Sequence, residues 1–122
     1  MTVLKDILLV GAGGALGSIM RYGLTLLSSA IHVSPQLGTL TANVCGSFLI
    51  GIFITLASNN PLYLFGSIGL CGGFTTFSTF SSQVLNLIQT GEYGTAALYA
   101  IASVVICVLC VALGLYVGKM IK

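Results

Sequence analysis

Polar side chains recur at helical spacing within apolar stretches of the sequence that are long enough to cross a membrane. Thr39, Asn43 and Ser47 are each four residues apart, so they share one face of a helix. Tyr99 and Ser103 repeat this spacing near the end of the chain. Polar groups inside a membrane are costly and therefore mark candidate functional sites. A structural alternative is open as well: the hydroxyls bond their own helix carbonyls, and the Asn43 amide bridges to a neighbouring helix.

A glycine- and hydroxyl-rich segment lies midway through the third apolar stretch, at residues 69–82. It contains Gly72-Gly73 followed by Thr75-Thr76, and both pairs disfavour a continuous helix. A helix break is predicted here, which would free backbone carbonyls at mid-membrane depth. Such carbonyls are tolerated where protein or a bound ion satisfies them. The alternative is an unbroken helix with a glycine-lined contact.

Two aromatic rings follow this predicted break. Phe77 and Phe80 share a helix face, and hydroxyl groups lie beside them at Thr75, Ser78, Thr79, Ser81 and Ser82. An aromatic pair at this spacing usually reflects packing. The positive edge of a phenyl ring can also face an anion. Ring edges, hydroxyls and an amide together suit a small anion, whereas the sequence offers no row of acidic groups for a cation or a proton.

One charged residue, Arg21, falls well inside an apolar stretch. Its long side chain either reaches the membrane interface or holds a fixed positive potential at the mouth of an anion path. Both interpretations are open from the sequence.

The composition explains which elements must hold these residues. The 122-residue chain is 57% hydrophobic and 5% charged, which excludes a soluble enzyme, a nucleic-acid-binding protein and a disordered chain. No nucleophile, base and orienting group occur together, so no enzyme is predicted. A span needs about 20 apolar residues, and four stretches qualify: 3–31, 37–57, 62–88 and 95–121. We therefore expect an all-α membrane protein with one four-span domain covering residues 1–122. The predicted connections are 32–36, 58–61 and 89–94.

Four spans place both termini on one side of the membrane. Lys5, Lys119 and Lys122 favour the cytoplasm for that side, but the bias is small and leaves room for insertion in both orientations. Three glycine pairs have the spacing of close helix contacts: Gly13 and Gly17, Gly69 and Gly73, and Gly114 and Gly118. They indicate either an oligomer or packing within one chain.

Three motifs in order resemble the Fluc/CrcB family of fluoride channels, and the resemblance covers essentially the whole chain. They are Gly13-Gly14-Ala15-Leu16-Gly17 leading to Arg21-Tyr22, the segment 38–48 around Asn43, and Gly72-Gly73-Phe74-Thr75-Thr76-Phe77-Ser78-Thr79-Phe80. The resemblance implies an antiparallel, dual-topology dimer with two fluoride pores in the bacterial plasma membrane. It also implies a sodium ion at the dimer centre.

The resemblance further implies roles for individual residues. The carbonyls of Gly72 and Thr75 would hold the sodium ion, and Arg21 would lie near an aqueous vestibule. The fluoride path would be lined by Asn43, Phe77, Phe80, Ser78, Thr79, Thr39, Tyr99 and Ser103. The family commonly has a glutamate where this chain has Gln83. This difference questions any role for a carboxylate there and is compatible with a heterodimer beside a paralogous chain.

Two other functions are compatible with a chain of this size. A small multidrug-type exporter needs a titratable carboxylate within a span. Here Asp6 is near the terminus and Glu92 falls in a predicted connection, which disfavours this function. A membrane assembly subunit that transports nothing is the second alternative, and the unusual third stretch argues against it.

Overall fold

The computed structural model describes residues 2–57 and 60–122, and the regular structure of these residues is helical throughout. The elements are α1 (Thr2–Ala30), α2 (Pro35–Ala57), α3 (Pro61–Tyr63), a π-helix π1 (Leu64–Cys71), α4 (Gly72–Phe74), α5 (Phe77–Gln89) and α6 (Tyr93–Ile121). The predicted all-α architecture is confirmed. Three of the helices, α1, α2 and α6, are long and apolar enough to cross a membrane without interruption.

The third predicted span is a composite of α3, π1, α4 and α5. The first three follow one another directly, and α5 begins after a two-residue interruption at Thr75 and Thr76. The connection that precedes this span was predicted at 58–61, and its residues Ser58 and Asn59 lie outside the described part of the chain. Asn60 caps α3, since its Oδ1 accepts a hydrogen bond from the Leu62 N–H at 2.9 Å.

The helix break is real but lies after the glycine pair. Gly72 has helical dihedral angles (φ −61°, ψ −39°) and α4 includes Gly73, whereas Thr75 and Thr76 are extended. Gly73 serves close packing instead, because a Cβ atom there would lie 3.1 Å from Gly14 Cα. The glycine pair thus brings helices together, and the threonine pair interrupts the span.

All three predicted glycine faces are contacts within the chain. Gly13 and Gly17 on α1 pack against the first half of the third span, and a Cβ atom at Gly13 would lie 3.0 Å from Gly69 Cα. A Cβ atom at Gly114 on α6 would lie 3.0 Å from Gly51 Cα on α2. The glycine spacing therefore reports intrachain packing, which was one of the two alternatives, and gives no support to an oligomer.

Helix α5 packs against α6 beyond the break. A small apolar cluster joins Leu87 to Ala96 and Tyr99, and Phe80 contacts this cluster. The cluster positions the second phenylalanine beside α6.

Candidate functional site

The side-chain amide of Asn43 binds the interrupted backbone of the third span. Its Oδ1 accepts from the Thr76 N–H at 2.8 Å, and its Nδ2 donates to the Thr76 carbonyl at 3.2 Å. This is the bridge to a neighbouring helix that the sequence allowed. The second N–H of the same amide has no acceptor among the described residues. Asn43 therefore stabilises the break and retains one free donor.

The break releases two backbone carbonyls in the middle of the span. In a continuous helix the Gly72 carbonyl would accept from the Thr76 N–H, which here bonds to Asn43. Likewise, the Thr75 carbonyl would accept from the Thr79 N–H, which here donates to the Thr76 hydroxyl at 3.3 Å. These are the two carbonyls that the resemblance assigned to a cation.

Arg21 satisfies a third carbonyl at the break. Its Nε donates to the Gly73 carbonyl at 3.1 Å, close to the C-terminal end of α4. A cation at the C-terminal end of a helix is attracted to the negative pole of the helix dipole. The partly buried guanidinium group is therefore anchored to the broken span.

Hydroxyl groups organise the start of α5. Thr76 is its N-cap residue, and its Oγ1 lies 3.2 Å from Thr79 Oγ1 and 3.4 Å from Ser78 Oγ. The N-terminus of a helix carries a partial positive charge, which favours an approaching anion. This end of α5 thus joins hydroxyl donors to a favourable backbone dipole.

An open groove of about 300 Å³ runs beside the break, and we call it the phenylalanine groove. The lining residues that bear on function are Asn43, Ser47, Gly72, Phe77, Phe80 and Ser103. The ring centroids of Phe77 and Phe80 are 5.7 Å apart, and those of Phe80 and Tyr99 are 5.1 Å apart. Phe77 is 77% exposed in the single chain. One wall of the groove is therefore open.

Ser103 presents an unpaired donor to this groove. The side chain is 5% exposed, and its Oγ has no hydrogen-bond partner among the described residues. A buried unsatisfied hydroxyl costs about 1–3 kcal/mol. Such a group is expected to be retained where a ligand or partner satisfies it.

A second cavity of about 330 Å³ lies on the other side of the Asn43–Thr76 pair, and we call it the arginine cavity. Its polar lining residues include Arg21, Thr25, Ser28, Thr39, Thr79 and Gln83. Thr76 lines both cavities. The stripe of polar residues on α2 thus divides, with Thr39 in the arginine cavity and Asn43 and Ser47 in the phenylalanine groove.

Gln83 links three helices at the edge of the arginine cavity. Its Oε1 accepts from the Tyr99 hydroxyl at 2.7 Å, and its Nε2 donates to the Pro35 carbonyl at 3.3 Å. Tyr99 lines neither cavity directly and is 8% exposed. Its polar atom is directed to Gln83.

Most of the predicted site residues line the two cavities beside the break, and two, Ser78 and Tyr99, do not. Ser78 is exposed and lines neither of the two cavities. The sequence analysis placed Thr76 in the predicted break but did not identify it as an N-cap, although a threonine directly before a helical segment is a typical one. The hydrogen bonds of Gln83 had no sequence signal, because the Pro35 carbonyl is 48 residues away.

The fold and these cavities define a small multi-pass helical membrane protein in which two cavities, lined by no aspartate or glutamate, flank a broken helix. A family model described as "CrcB-like protein, Camphor Resistance (CrcB)" matches residues 8–115. The chain belongs to this family.

Several relatives match over nearly their whole length. The chain is 43% identical to a protein of Phocaeicola vulgatus over 121 residues, which cover 95% of this chain and 100% of the relative. It is 48% identical to a protein of Methylobacterium radiotolerans over 114 residues, covering 88% and 80%. It is 42% identical to a protein of Elusimicrobium minutum over 124 residues, covering 99% of each. Each relative is named "Fluoride-specific ion channel FluC".

Proposed function

We propose that the chain is a fluoride-specific ion channel that passively exports fluoride and so lowers its toxicity. The relatives named as such channels support this function over nearly the full chain length. The structural observation that carries it is the unpaired Ser103 hydroxyl, buried in a groove that also contains the free amide donor of Asn43.

Neutral donors in series fit the needs of fluoride conduction. Fluoride is small and tightly hydrated, so a path must replace the hydrogen bonds of water without holding the ion too firmly. The proposed path runs through the two cavities past Thr39, Asn43, Phe77, Thr79, Phe80 and Ser103, with Ser78 and Tyr99 beside them and Arg21 at its vestibule. No catalytic chemistry is required, since the ion gradient and membrane potential supply the driving force.

The proton-coupled exporter is the weaker alternative. Neither cavity is lined by an aspartate or a glutamate, and proton coupling within a membrane needs a titratable group. An assembly subunit without transport would have no use for an unsatisfied hydroxyl in an open groove.

We further propose that residues 1–122 form one channel domain that works as an antiparallel dimer. Gly72 is exposed, and its released carbonyl belongs to a groove that is open on one side. Unpaired backbone groups cannot face lipid at mid-membrane depth, so another protein surface must cover them. A second copy of the chain is the simplest protein surface that could cover this groove. The small lysine bias is compatible with both orientations of that copy. A paralogous chain in a heterodimer would serve equally.

A sodium ion at the centre of this dimer is the third part of the proposal. Sodium is bound in membrane proteins by carbonyls of unwound helices. The Gly72 and Thr75 carbonyls have lost their helical donors and so fit this role. The ion would neutralise carbonyl dipoles that two copies bring together.

Fluoride efflux from liposomes is the deciding experiment. Purified protein is reconstituted at low density with potassium fluoride inside, and valinomycin starts the efflux, which a fluoride electrode records. We expect rapid fluoride release and no release from matched chloride-loaded liposomes. Liposomes that retain fluoride would reject the function, and equal release of chloride would reject the selectivity. Flux that needs co-expression with a homologous chain would replace the homodimer by a heterodimer.

Mass and orientation test the assembly. Light scattering in detergent is expected to give the mass of two chains. In sealed vesicles, an external protease should remove a C-terminal tag from about half of the chains in an antiparallel population. Complete removal or complete protection would contradict dual topology, and a monomer mass would contradict the dimer. Replacing sodium by N-methylglucamine should lower the melting temperature if the sodium site exists.

A further inference from the structure

Two of the four cysteines line the phenylalanine groove. Cys71 is the last residue of π1 and is buried, and Cys107 lies in the middle of α6 and is half-buried. Cys45 is exposed and Cys110 is half-buried, and neither lines the groove or the arginine cavity. The four thiols thus divide into one pair inside the groove and one pair outside it.

The two groove thiols reach the same space from different helices. Cys107 shares a helix face with Ser103 one turn earlier, whose buried Oγ has no hydrogen-bond partner among the described residues. Cys71 directly precedes Gly72 at the break, and its carbonyl accepts from both the N–H and the hydroxyl of Thr75 at 2.9 Å. These bonds fix the backbone that carries the Cys71 thiol. Two thiols and an unpaired hydroxyl therefore line one cavity of about 300 Å³.

A pair of thiols suits a soft metal ion better than a hard one. Thiolates select soft ions, whereas magnesium and calcium need several oxygen ligands. Within residues 2–57 and 60–122, no three His, Cys, Asp or Glu side chains cluster, which disfavours a four-coordinate zinc site. Mercury(II) needs only two ligands in a linear arrangement, and two thiolates cancel its charge. Such a neutral complex avoids the cost of burying a net charge.

We propose that Cys71 and Cys107 form a two-thiol binding site for a soft metal ion such as mercury(II), and that the bound ion obstructs the groove. Binding replaces two S–H bonds by two S–Hg bonds. The two protons leave with the two chloride ions of mercury(II) chloride, and no electrons are transferred. Because Phe80 and Ser103 line the same groove, the ion would fill part of the fluoride path. The obstruction rests on the proposed function, whereas the binding does not.

Two double variants with equal numbers of thiols test the binding. Cys45→Ala/Cys110→Ala retains the groove thiols, and Cys71→Ala/Cys107→Ala retains the other two. Each purified protein is loaded with mercury(II) chloride and dialysed against increasing β-mercaptoethanol, and the mercury bound per chain is measured by mass spectrometry. The first variant should need about a hundredfold more β-mercaptoethanol for half-release than the second, because its second thiol acts at a high effective concentration.

Single substitutions distinguish a bridged ion from one that a single sulfur holds. In the Cys45→Ala/Cys110→Ala background, adding Cys71→Ala or Cys107→Ala should each remove the whole difference in retention. Methylmercury binds one thiol, so all variants should release it at similar competitor concentrations. Melting temperature and elution volume establish folding, and Cys107→Ala alone decides the outcome if Cys71→Ala unfolds the buried end of π1. Equal mercury retention by the two double variants, or no effect of Cys107→Ala, would overturn the site.

Fluoride efflux from liposomes tests the obstruction. Mercury(II) chloride should lower the initial efflux of Cys45→Ala/Cys110→Ala to that of protein-free liposomes, and a dithiol chelator should restore it. Cys71→Ala/Cys107→Ala should keep its own untreated rate. Undiminished efflux with mercury bound at the groove thiols would overturn the obstruction. A chain that retains mercury as expected but releases no fluoride before treatment would instead overturn the proposed function.

Discussion

The amide of Asn43 forms with Thr76 the same pair of hydrogen bonds that a neighbouring β-strand would form. Thr76 N donates to Asn43 Oδ1 at 2.8 Å, and Asn43 Nδ2 donates to Thr76 O at 3.2 Å. The residue on α2 thus replaces the helical partner that the third span loses at its break. One side chain stabilises the interruption and contributes a donor to the adjacent groove.

Removing this amide should weaken both the fold and the flux. We expect Asn43→Ala to lower the free energy of unfolding by about 1–3 kcal/mol, because the partly buried Thr76 N–H loses its partner. Asn43→Asp keeps the acceptor but adds a negative charge, so it should reduce fluoride efflux at least as much. Thermal unfolding in detergent and liposome efflux measure the two effects. Asn86→Ala, at an exposed position of α5, is the control, and equal effects of both alanine variants would contradict the role of Asn43.

Replacing the second ring should reduce flux without unfolding the protein. Phe80→Ile retains an apolar side chain but removes the ring edge and the contact with Tyr99. An aromatic pair contributes about 0.5–1.5 kcal/mol, so we expect efflux to fall by about tenfold. Leu85→Ile, on the exposed side of the same helix, should conduct normally. Full flux in Phe80→Ile would remove this residue from the path.

The glycine contacts predict opposite outcomes for two Gly→Ala changes on α1. A Cβ atom at Gly17 would lie 2.8 Å from Phe74 N, and this backbone cannot move without shifting α4. Gly17→Ala should therefore lower the free energy of unfolding by about 1–3 kcal/mol. At Gly11 no atom lies within 4 Å of the added Cβ, so Gly11→Ala should increase stability by about 0.5–1 kcal/mol. Melting temperatures of the two variants are compared, and a reversed order would contradict the packing.

The C-terminal ends of α1 and α5 predict opposite stability effects for two further substitutions. His32 after α1 has φ 61°, and Gly91 after α5 has φ 84°. Both follow the same pattern of hydrogen bonds: Val33 N donates to Ser28 O at 2.8 Å, and Glu92 N donates to Leu87 O at 2.8 Å. His32→Gly should stabilise the protein by about 1 kcal/mol, because glycine adopts positive φ without steric cost, and Gly91→Ala should destabilise it by a similar amount. Differential scanning fluorimetry with a thiol-independent dye checks both, and shifts of the same sign would be inconsistent with these caps.

The number of spans and the existence of a break were predictable from the sequence because both depend on local composition. Apolar length determines a span, and poor helix formers in mid-span indicate an interruption. Within the predicted segment the interruption falls on Thr75 and Thr76, because Gly72 and Gly73 remain helical and Gly73 has a packing role. Its close neighbour is Gly14 on α1, 59 positions earlier in the chain, and no local pattern reveals that contact.

The sequence showed which polar residues were unusual, but it did not show which groups they hydrogen-bond. Arg21 was recognised as unusual, but its acceptor is a backbone carbonyl 52 residues away. Gln83 was noticed as a difference from a family pattern, and its hydrogen bonds became visible only once α2 and α6 were placed beside α5. Every residue has a backbone carbonyl, so the residue type does not indicate which carbonyl will accept a distant hydrogen bond.

The glycine contacts between α1 and the third span, and between α2 and α6, bear on how the molecule is made. Each of these glycine contacts joins helices of the same chain, so a newly inserted copy can complete its internal packing before it contacts another copy. In the proposed dimer, contact between copies would then involve the phenylalanine groove and not the glycine contacts. Assembly of the proposed dimer would then proceed as insertion, folding of each copy within the bilayer, and only afterwards pairing.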